Sequence, residues 1–155
     1  MRRAKREKKW SVAGTEYRVA IPAWACTQCD EVVLDGPSLV RAELTVAAEL
    51  AKKGPIGPET FRFMRRAIAT RAAEIARLLD VSPETVSHWE NGRNAPPRAA
   101  WMLVSGLVLD AAAGETSTRE RLESAAVARR KRAARVALTL LSVAGFAAGI
   151  VKSRR

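Results

Sequence analysis

The sequence is poor in the side chains that bind metals and catalyse reactions, with only two cysteines and one histidine among its 155 residues. The cysteines form one Cys26-Thr27-Gln28-Cys29 motif, which supplies two of the four ligands of a tetrahedral zinc site. The histidine, His88, lies in a different segment, so the second half of such a site is missing from the chain. We therefore expect no cofactor, and Cys26 and Cys29 are at most half of a metal site.

Three roles stay open for this cysteine pair. The two thiols can be a reduced pair without a ligand, or they can bind a zinc ion that a second chain completes. Redox chemistry is the third role, but a redox pair needs the strand-to-helix setting of a thioredoxin-like unit, which the flanking residues do not show.

The same scarcity argues against an enzyme. No recognised spacing ties His88 to a nucleophile or to an orienting carboxylate. A lone histidine on a helix surface is more often a contact residue than a base, so no catalytic residue is expected.

Long apolar segments are also lacking. Residues 1–20 contain no apolar run followed by a cleavage site, so we expect no secretory signal. Residues 136–151 carry no charge, but as a helix they would span about 24 Å, less than the roughly 30 Å of a bilayer core. A membrane anchor, a dimerisation helix and a tail packed on its own domain remain open for them, and a helix that makes protein contacts is favoured.

Acidic residues are outnumbered, with 16 aspartates and glutamates against 27 lysines and arginines and a formal charge of +11. Such a surface suits a polyanion, either nucleic acid or an acidic membrane face. Six of the cations lie in residues 1–9, and a second basic block covers residues 129–132. Blocks of this kind form solvated tails or nucleic-acid arms.

What the sequence does contain is a short helix with a marked beginning and end, at residues 82–92. Ser82 can cap its free N–H groups, and Pro83 suits the first helical position because its missing N–H costs nothing there. Val86 and Trp89 lie three residues apart and share one buried face, which leaves the polar side chains outside. A short helix of this design is typical of the element that reads DNA.

A second short helix precedes it. Residues 72–79 carry apolar side chains at helical spacing, and Asp80-Val81 forms a tight connection. Two helices joined by such a turn form the helix-turn-helix, whose second helix enters the major groove.

The segment from about Phe61 to Leu109 resembles the Cro and phage-repressor (XRE) family of helix-turn-helix domains. The residues at the family's spacing are Glu74, Ala76, Val81, Ser82, Val86, Trp89, Glu90, Asn91 and Gly92. The chain departs from the family at two positions, since Ala72 replaces a glutamine that touches a phosphate and Asp80 replaces a turn glycine. Aspartate tolerates left-handed geometry, so the turn is expected to survive.

This resemblance implies a set of residues that contact DNA. The base-facing positions are Ser82, Pro83, Glu84 and His88. The side chains that contact phosphates or position the helix are Thr85 and Ser87. The positions that touch backbone oxygens are Asn91, Arg93, Asn94 and Arg98. The resemblance also implies an ion pair between Arg65 and Glu90, which holds the second helix against the bundle.

Ahead of this domain, the sequence predicts a small β unit. Two short strands, Trp10–Val12 and Glu16–Ile21, alternate apolar and polar residues around a hairpin turn. Pro22 ends or kinks the second strand, and Ser38 caps a helix that runs to about Lys53.

The order of strands, Cys-x-x-Cys, helix and helix-turn-helix resembles the MqsA/YgiT-type antitoxins, from about Lys8 to Leu109. The residues that carry it are Tyr17-Arg18-Val19, Ile21-Pro22, Cys26, Cys29 and the segment from Phe61 to Arg98. That family binds zinc with a second Cys-x-x-Cys nearer the N-terminus, which this chain lacks. The resemblance implies an antitoxin-type repressor that binds a toxin through its N-terminal unit.

We therefore predict an α+β fold in three parts. Residues 1–54 form a small β-hairpin-plus-helix unit, and residues 58–113 form an all-α, lambda-repressor-like helix-turn-helix bundle. A stiff linker of glycines and prolines at 54–58 separates them. Residues 117–155 form a long C-terminal helix that is first basic and then apolar.

The predicted function is a sequence-specific DNA-binding regulator, namely an antitoxin-type autorepressor of a toxin–antitoxin operon. Its expected partners are double-stranded DNA, a second copy of the chain and a cognate toxin. A homodimer is expected because one helix, at residues 82–92, reads only a few base pairs. Two copies on the two halves of a palindrome read twice as many. The expected location is the bacterial cytoplasm, on the nucleoid. The alternative is a membrane-anchored or protein-binding adaptor whose helix-turn-helix contacts proteins.

Overall fold

The computed structural model describes residues 1–29, 31–54 and 57–150, and for residue 135 and residues 137–150 it describes the backbone alone. In these residues a three-stranded antiparallel sheet is followed by six helices, which confirms the predicted α+β fold. The strands are β1 (Arg2–Val12), β2 (Thr15–Ala25) and β3 (Val32–Leu34). The helices are α1 (Gly36–Lys53), α2 (Pro58–Ala67), α3 (Ala72–Leu79), α4 (Pro83–Glu90), α5 (Arg98–Ala113) and α6 (Ser117–Ile150). The chain divides into two compact units, residues 1–118 and residues 119–155.

The first two strands form one long hairpin. β1 and β2 pair antiparallel over 11 residues each, with Arg2 opposite Ala25 at the open end. Ala13 and Gly14 form the turn with positive φ angles of 50° and 75°, as a type I′ hairpin requires. Both strands are longer than predicted, and the basic N-terminus belongs to β1 rather than to a tail. Apolar alternation misses this part of β1 because an edge strand can expose both of its faces to water.

The sequence predicted that Pro22 ends or kinks β2, and the structure shows that it does not end the strand but lies inside it opposite Lys5. Its carbonyl accepts the Asp35 N–H at 3.0 Å, so the backbone of Pro22 faces the β3 side of the sheet. The N and C=O of one strand residue point to the same side. The missing N–H of Pro22 therefore removes nothing from the ladder between β1 and β2.

The prediction that Ser38 caps α1 is wrong, because the helix begins at Gly36 and Asp35 caps it. The Asp35 carboxylate accepts the Ser38 N–H at 3.0 Å. Pro37 lies in the first turn, where its missing N–H has no intrahelical partner to lose. Hydrogen bonds from the hydroxyl and the N–H of Ser38 hold the pKa of Asp35 below its usual value.

The helical core packs around Phe61. Its ring meets Trp89 edge-on, with ring centroids 6.0 Å apart, and lies tilted against Trp101 at 6.3 Å. Other fully buried side chains of the bundle are Met64, Ile75, Val86, Val104 and Val108. Within the first unit α1 packs on α2 and α5. Residues 55 and 56 of the predicted linker lie outside the described residues, and the three-part division stays a prediction.

The long C-terminal helix α6 starts against α5. The Asp110 carboxylate accepts the Thr118 N–H at 2.7 Å and the Ser117 hydroxyl at 3.2 Å, which satisfies the first turn of α6. Apart from Val136, the side chains of the apolar segment 136–151 lie outside the described residues, so its three possible roles stay open. In the part of the chain that the structure describes, no helix combines the length and the apolar character needed to cross a bilayer.

We expect Asp35→Ala to lower the urea midpoint of unfolding at neutral pH, because the variant lacks the cap of α1. The pKa of Asp35 is lower in the folded than in the unfolded chain. The cap therefore contributes its full stabilisation of the folded chain at pH values above the pKa of Asp35 in the unfolded chain. This stabilisation is lost as the pH falls through the pKa of Asp35 in the folded chain. The difference in urea midpoint between Asp35→Ala and the wild type should shrink below about pH 4. Asp35→Asn keeps a capping oxygen and should lose little stability at neutral pH. An equal loss of stability in both variants contradicts the capping role.

Candidate nucleic-acid interface

The two helices of the motif are joined through one left-handed residue. Asp80 follows α3 as its C-cap, with φ 60° and ψ 45°, and the N–H groups of Asp80 and Val81 both donate to the Ala76 carbonyl. Aspartate is enriched in this geometry compared with most residues, so the turn forms without the family's glycine, as predicted. Only residues 80–82 separate α3 from α4.

α4 begins and is anchored as the sequence predicts. The Ser82 hydroxyl accepts the Thr85 N–H at 3.2 Å, and Pro83 is the first helical residue. Val86 and Trp89 are buried on one side of the helix. The opposite side is therefore left to the polar side chains.

Most residues predicted to contact DNA lie at the surface. Thr85 and His88 are half-buried. The exposed residues of this set are Ser82, Pro83, Glu84, Ser87, Asn91, Arg93, Asn94 and Arg98. They belong to α4 with its cap, to the loop after α4 and to the first residue of α5, so all are accessible to a ligand.

Hydrogen bonds within this set restrict several side chains. The hydroxyls of Ser82 and Thr85 lie 3.1 Å apart. The Asn91 side-chain amide donates to the Ser87 hydroxyl at 3.2 Å, one helical turn back. Side chains held in one geometry lose less conformational entropy when a ligand binds.

His88 is held in one tautomer by Arg93. A guanidinium nitrogen of Arg93 lies 3.3 Å from His88 Nε2. Because guanidinium only donates, Nε2 accepts, and the ring proton of neutral His88 sits on Nδ1. The N–H groups of Arg93 and Asn94 also donate to the His88 carbonyl, at 3.0 and 3.4 Å, and close the end of α4. The Nδ1–H is thereby the donor that His88 can offer to a base edge.

Four side chains of the set make no hydrogen bond or ion pair with another described residue. They are Pro83, Glu84, Asn94 and Arg98. Glu84 lies in the first turn of α4, where the helix dipole stabilises a negative charge. A carboxylate accepts from cytosine N4 but is repelled by phosphates. Glu84 is therefore compatible with a base edge and incompatible with the DNA backbone.

Arg65 of α2 and Glu90 of α4 form the ion pair that the resemblance implies. Nε contacts Oε1, and Nη2 donates to Oε2 at 2.9 Å, so the contact is bidentate. Arg65 Nη1 donates to the Thr70 carbonyl at 2.7 Å, in the connection between α2 and α3. The two side chains are only 11% and 8% exposed, so water screens the pair weakly. One guanidinium thus joins α2, the α2–α3 connection and the end of α4.

The start of α3 carries a residue that the sequence analysis did not single out. Ala72, which replaces the phosphate-contacting glutamine of the resembled family, is half-buried, whereas Arg71 before it is exposed. Arg71 occupies the N-cap position, and no side chain caps α3. Free N–H groups beside a cation attract anions, whereas Glu74 adds a negative charge to the same first turn. The sequence feature that could have pointed to Arg71 is its position as a basic residue directly before Ala72.

The cysteine pair lies between β2 and β3, outside the helix-turn-helix. Cys26 is half-buried, Cys29 is exposed, and both are free thiols. The Gln28 N–H donates to Cys26 Sγ at 3.4 Å, and with hydrogen bonds from Cys29 it holds the pKa of Cys26 below its usual value. The described residues contain no group of three or more His, Cys, Asp or Glu side chains that could hold a metal ion. The ligand-free, zinc and redox roles of the pair all stay open.

Residues 64–105 match the helix-turn-helix family model. The match lies inside the segment, from about Phe61 to Leu109, that the sequence analysis compared with XRE-type domains. It indicates a DNA-binding regulator of that type, a kind of domain that is not typically enzymatic. No curated protein and no solved structure matches the chain.

We expect Glu90→Leu to destabilise the fold by about 3 kcal/mol, because it leaves the Arg65 guanidinium buried without its carboxylate. The double variant Arg65→Met/Glu90→Leu should lose much less stability than Glu90→Leu, since no buried charge is then left unpaired. Urea unfolding of the wild type, both single variants and the double variant measures the coupling free energy. A coupling below about 1 kcal/mol, the range of exposed pairs, would show that the pair does not hold α4 in place.

Proposed function

We propose that the protein is a transcription regulator that binds DNA sequence-specifically, with α4 in the major groove. The observation that carries the proposal is the polar face of α4, exposed while Val86 and Trp89 are buried, in a segment that matches the helix-turn-helix family. The ion pair between Arg65 and Glu90 adds support, because it holds α4 in position before DNA binds.

In this proposal the side chains divide into base and backbone contacts. Glu84 accepts a hydrogen bond from cytosine N4, and the Nδ1–H of His88 donates to a purine N7. Pro83, which cannot donate, packs on a thymine methyl, and Ser82 approaches the base edge while it caps α4. The residues proposed to contact phosphates are Thr85, Ser87, Asn91, Arg93, Asn94 and Arg98. Phosphate contacts set the register and carry the salt dependence without specifying sequence.

Selection from randomised duplexes tests the base contacts. The wild type should enrich one sequence, and Glu84→Ala/His88→Ala should relax the preference at the contacted positions by about 1 kcal/mol or more. Glu115→Ala, which removes an exposed carboxylate outside α4, is the control and should leave the preference unchanged. Absence of any enriched sequence, or an unchanged preference in the double variant, contradicts base readout. That outcome favours the adaptor, in which the helix-turn-helix contacts proteins.

The proposal includes a homodimer on a palindromic site, because one recognition helix reads only a few base pairs and two half-sites multiply that information. A candidate contact face lies on α5. Met102 and Leu109 are 60% and 38% exposed there, and residues seven apart lie on one face of a helix. A two-fold contact between copies of this face would bury both apolar side chains.

Met102→Glu is expected to convert the dimer to a monomer, because it places a charge in this contact. Sedimentation measures the oligomeric state, and binding to a palindrome should weaken more than binding to a single half-site. Val40→Glu is the control, since Val40 is 58% exposed on α1, outside the proposed face. A monomeric wild type contradicts the dimer, and a Met102→Glu variant that stays dimeric contradicts the α5 face.

The resemblance to the MqsA/YgiT-type antitoxins extends the proposal to an autorepressor of a toxin–antitoxin operon on the nucleoid of a bacterial cytoplasm. The order of hairpin, Cys-x-x-Cys, α1 and helix-turn-helix supports it, with a toxin bound by the N-terminal unit. A neighbouring gene that stops growth when expressed alone, and is harmless when this protein is expressed with it, would support the antitoxin role. Harmless neighbours contradict that role and leave the DNA-binding role standing.

A further inference from the structure

β1 carries a dense row of cations that the proposed role of α4 does not use. We call them the β1 cations, and they are Arg2, Arg3, Lys5, Arg6 and Lys8. All five are exposed, and among the described residues no carboxylate lies within ion-pair distance of any of them. Arg3 lies over the Trp24 ring instead, 5.6 Å from its centroid. Five positive charges in seven residues therefore remain uncompensated.

The carboxylates of the same hairpin are already paired. Arg18 lies 3.6 Å from Glu7 and contacts Glu16, and Lys9 lies 3.7 Å from Glu16. The hydrogen bond from Arg18, with the charges of Arg18 and Lys9, holds the pKa of Glu16 below its usual value. Glu16 is therefore ionised at neutral pH beside its own cations. Neither carboxylate is left to neutralise the β1 cations.

The β1 cations project from both faces of the strand, because successive strand residues point to opposite sides. The two groups are Arg2, Arg6 and Lys8 on one face and Arg3 and Lys5 on the other. In the described sheet β1 pairs with β2 alone, so its outer edge is open. The partner of Lys5 is Pro22, whose backbone faces β3, and Lys5 therefore turns its own N–H to the open edge.

A short series of contacts joins this hairpin to the end of α4. The Ala13 N–H, in the hairpin turn, donates to Glu59 at the start of α2 at 2.9 Å. The preceding residue, Pro58, lies against Gly92, since a Cβ placed on Gly92 would be 3.5 Å from Pro58 Cγ. The hairpin turn is thus close to the loop whose side chains are proposed to contact phosphates. From that turn β1 extends for about 36 Å, at roughly 3.3 Å per residue.

We propose that the β1 cations bind the phosphates of the duplex DNA that flanks the site read by α4. An edge strand that lies along a DNA groove has a phosphate backbone on each of its sides, which matches cations on both faces of β1 at the open edge of the sheet. A flat acidic bilayer would meet only one of these faces. The open-edge N–H of Lys5 is a further donor for a phosphate oxygen. The inference rests on the proposed function for the position of the DNA, but phosphate contacts themselves need no base readout.

Lys5→Gln/Arg6→Gln tests the proposal, because it removes one cation from each face and leaves the ion pairs of the hairpin intact. The affinity of the full chain for a long random duplex is measured over a series of salt concentrations. The slope of log affinity against log salt should fall by about 1.8 in the variant, about 0.9 for each lost phosphate contact. Lys52→Gln/Arg121→Gln removes the same charge from exposed positions outside β1 and should leave the slope unchanged. Thermal unfolding checks that both variants fold.

The α4 variant Glu84→Ala/His88→Ala separates this inference from the proposed function. It should show a relaxed sequence preference at the contacted positions and keep the salt slope of the wild type on random duplex. A wild type without sequence preference, together with a lower slope in Lys5→Gln/Arg6→Gln, refutes base readout and supports the β1 contact. A wild type with a clear preference and an unchanged slope in the β1 variant refutes the β1 contact alone.

Three other results overturn the β1 contact. Equal slopes in the two double variants, both below the wild type, would assign the effect to net charge. The wild type is also compared at one salt concentration on duplex DNA, phosphatidylserine vesicles and polyglutamate. If it binds the vesicles or polyglutamate more tightly than DNA, the ligand of the β1 cations is a membrane or an acidic polypeptide. Self-association of Lys5→Gln/Arg6→Gln without a change in slope would show that the cations only prevent pairing of β1 edges between copies.

Discussion

The ion pair between Arg65 and Glu90, whose side chains are only 11% and 8% exposed, fixes the geometry of the candidate interface. The guanidinium is satisfied by the two carboxylate oxygens of Glu90 and by the Thr70 carbonyl, so with Arg65 itself the contact joins three separate segments of the chain. A buried charge that loses its partners is strongly destabilising, so these segments have to keep their relative positions. The last residue of α4 is thereby held to α2, while Val86 and Trp89 hold the same helix to the core. The polar face of α4 is consequently a preformed surface.

The charges of the first unit suit two different tasks. On α4, the uncompensated Glu84 and the oriented ring of His88 suit base edges, where each donor or acceptor discriminates between sequences. On β1, the uncompensated charges are all positive, and they suit phosphates, which carry affinity but no sequence information. The contacts of the hairpin turn with Glu59 and of Pro58 with Gly92 place that turn near the end of α4. A regulator built in this way can adjust affinity on β1 without altering sequence preference on α4.

Sequence reasoning succeeded where the controlling interactions are local. The Ser82 cap, the position of Pro83, the left-handed Asp80 and the hairpin turn all depend on residues within a few positions of each other. One local choice was wrong, since Asp35 and not Ser38 caps α1. Sequence reasoning was also wrong where another segment decides the outcome, because Pro22 continues β2 with its backbone facing β3. The extent of β1 was missed because its strand structure comes from pairing with β2 and not from an apolar pattern.

The helix-turn-helix, with its capped and doubly anchored second helix, can be read from the residues alone. This is possible because helix caps, turn geometry and helical spacing are short-range properties that residue types encode directly. The implied pairing of Arg65 with Glu90, 25 residues apart, came from resemblance, and its burial came from the packing of α2 on α4. Which cations are compensated depends on the folded chain. Arg18 and Lys9 meet carboxylates across the hairpin while the β1 cations meet none, and charge compensation depends on distances that the linear order of residues does not contain.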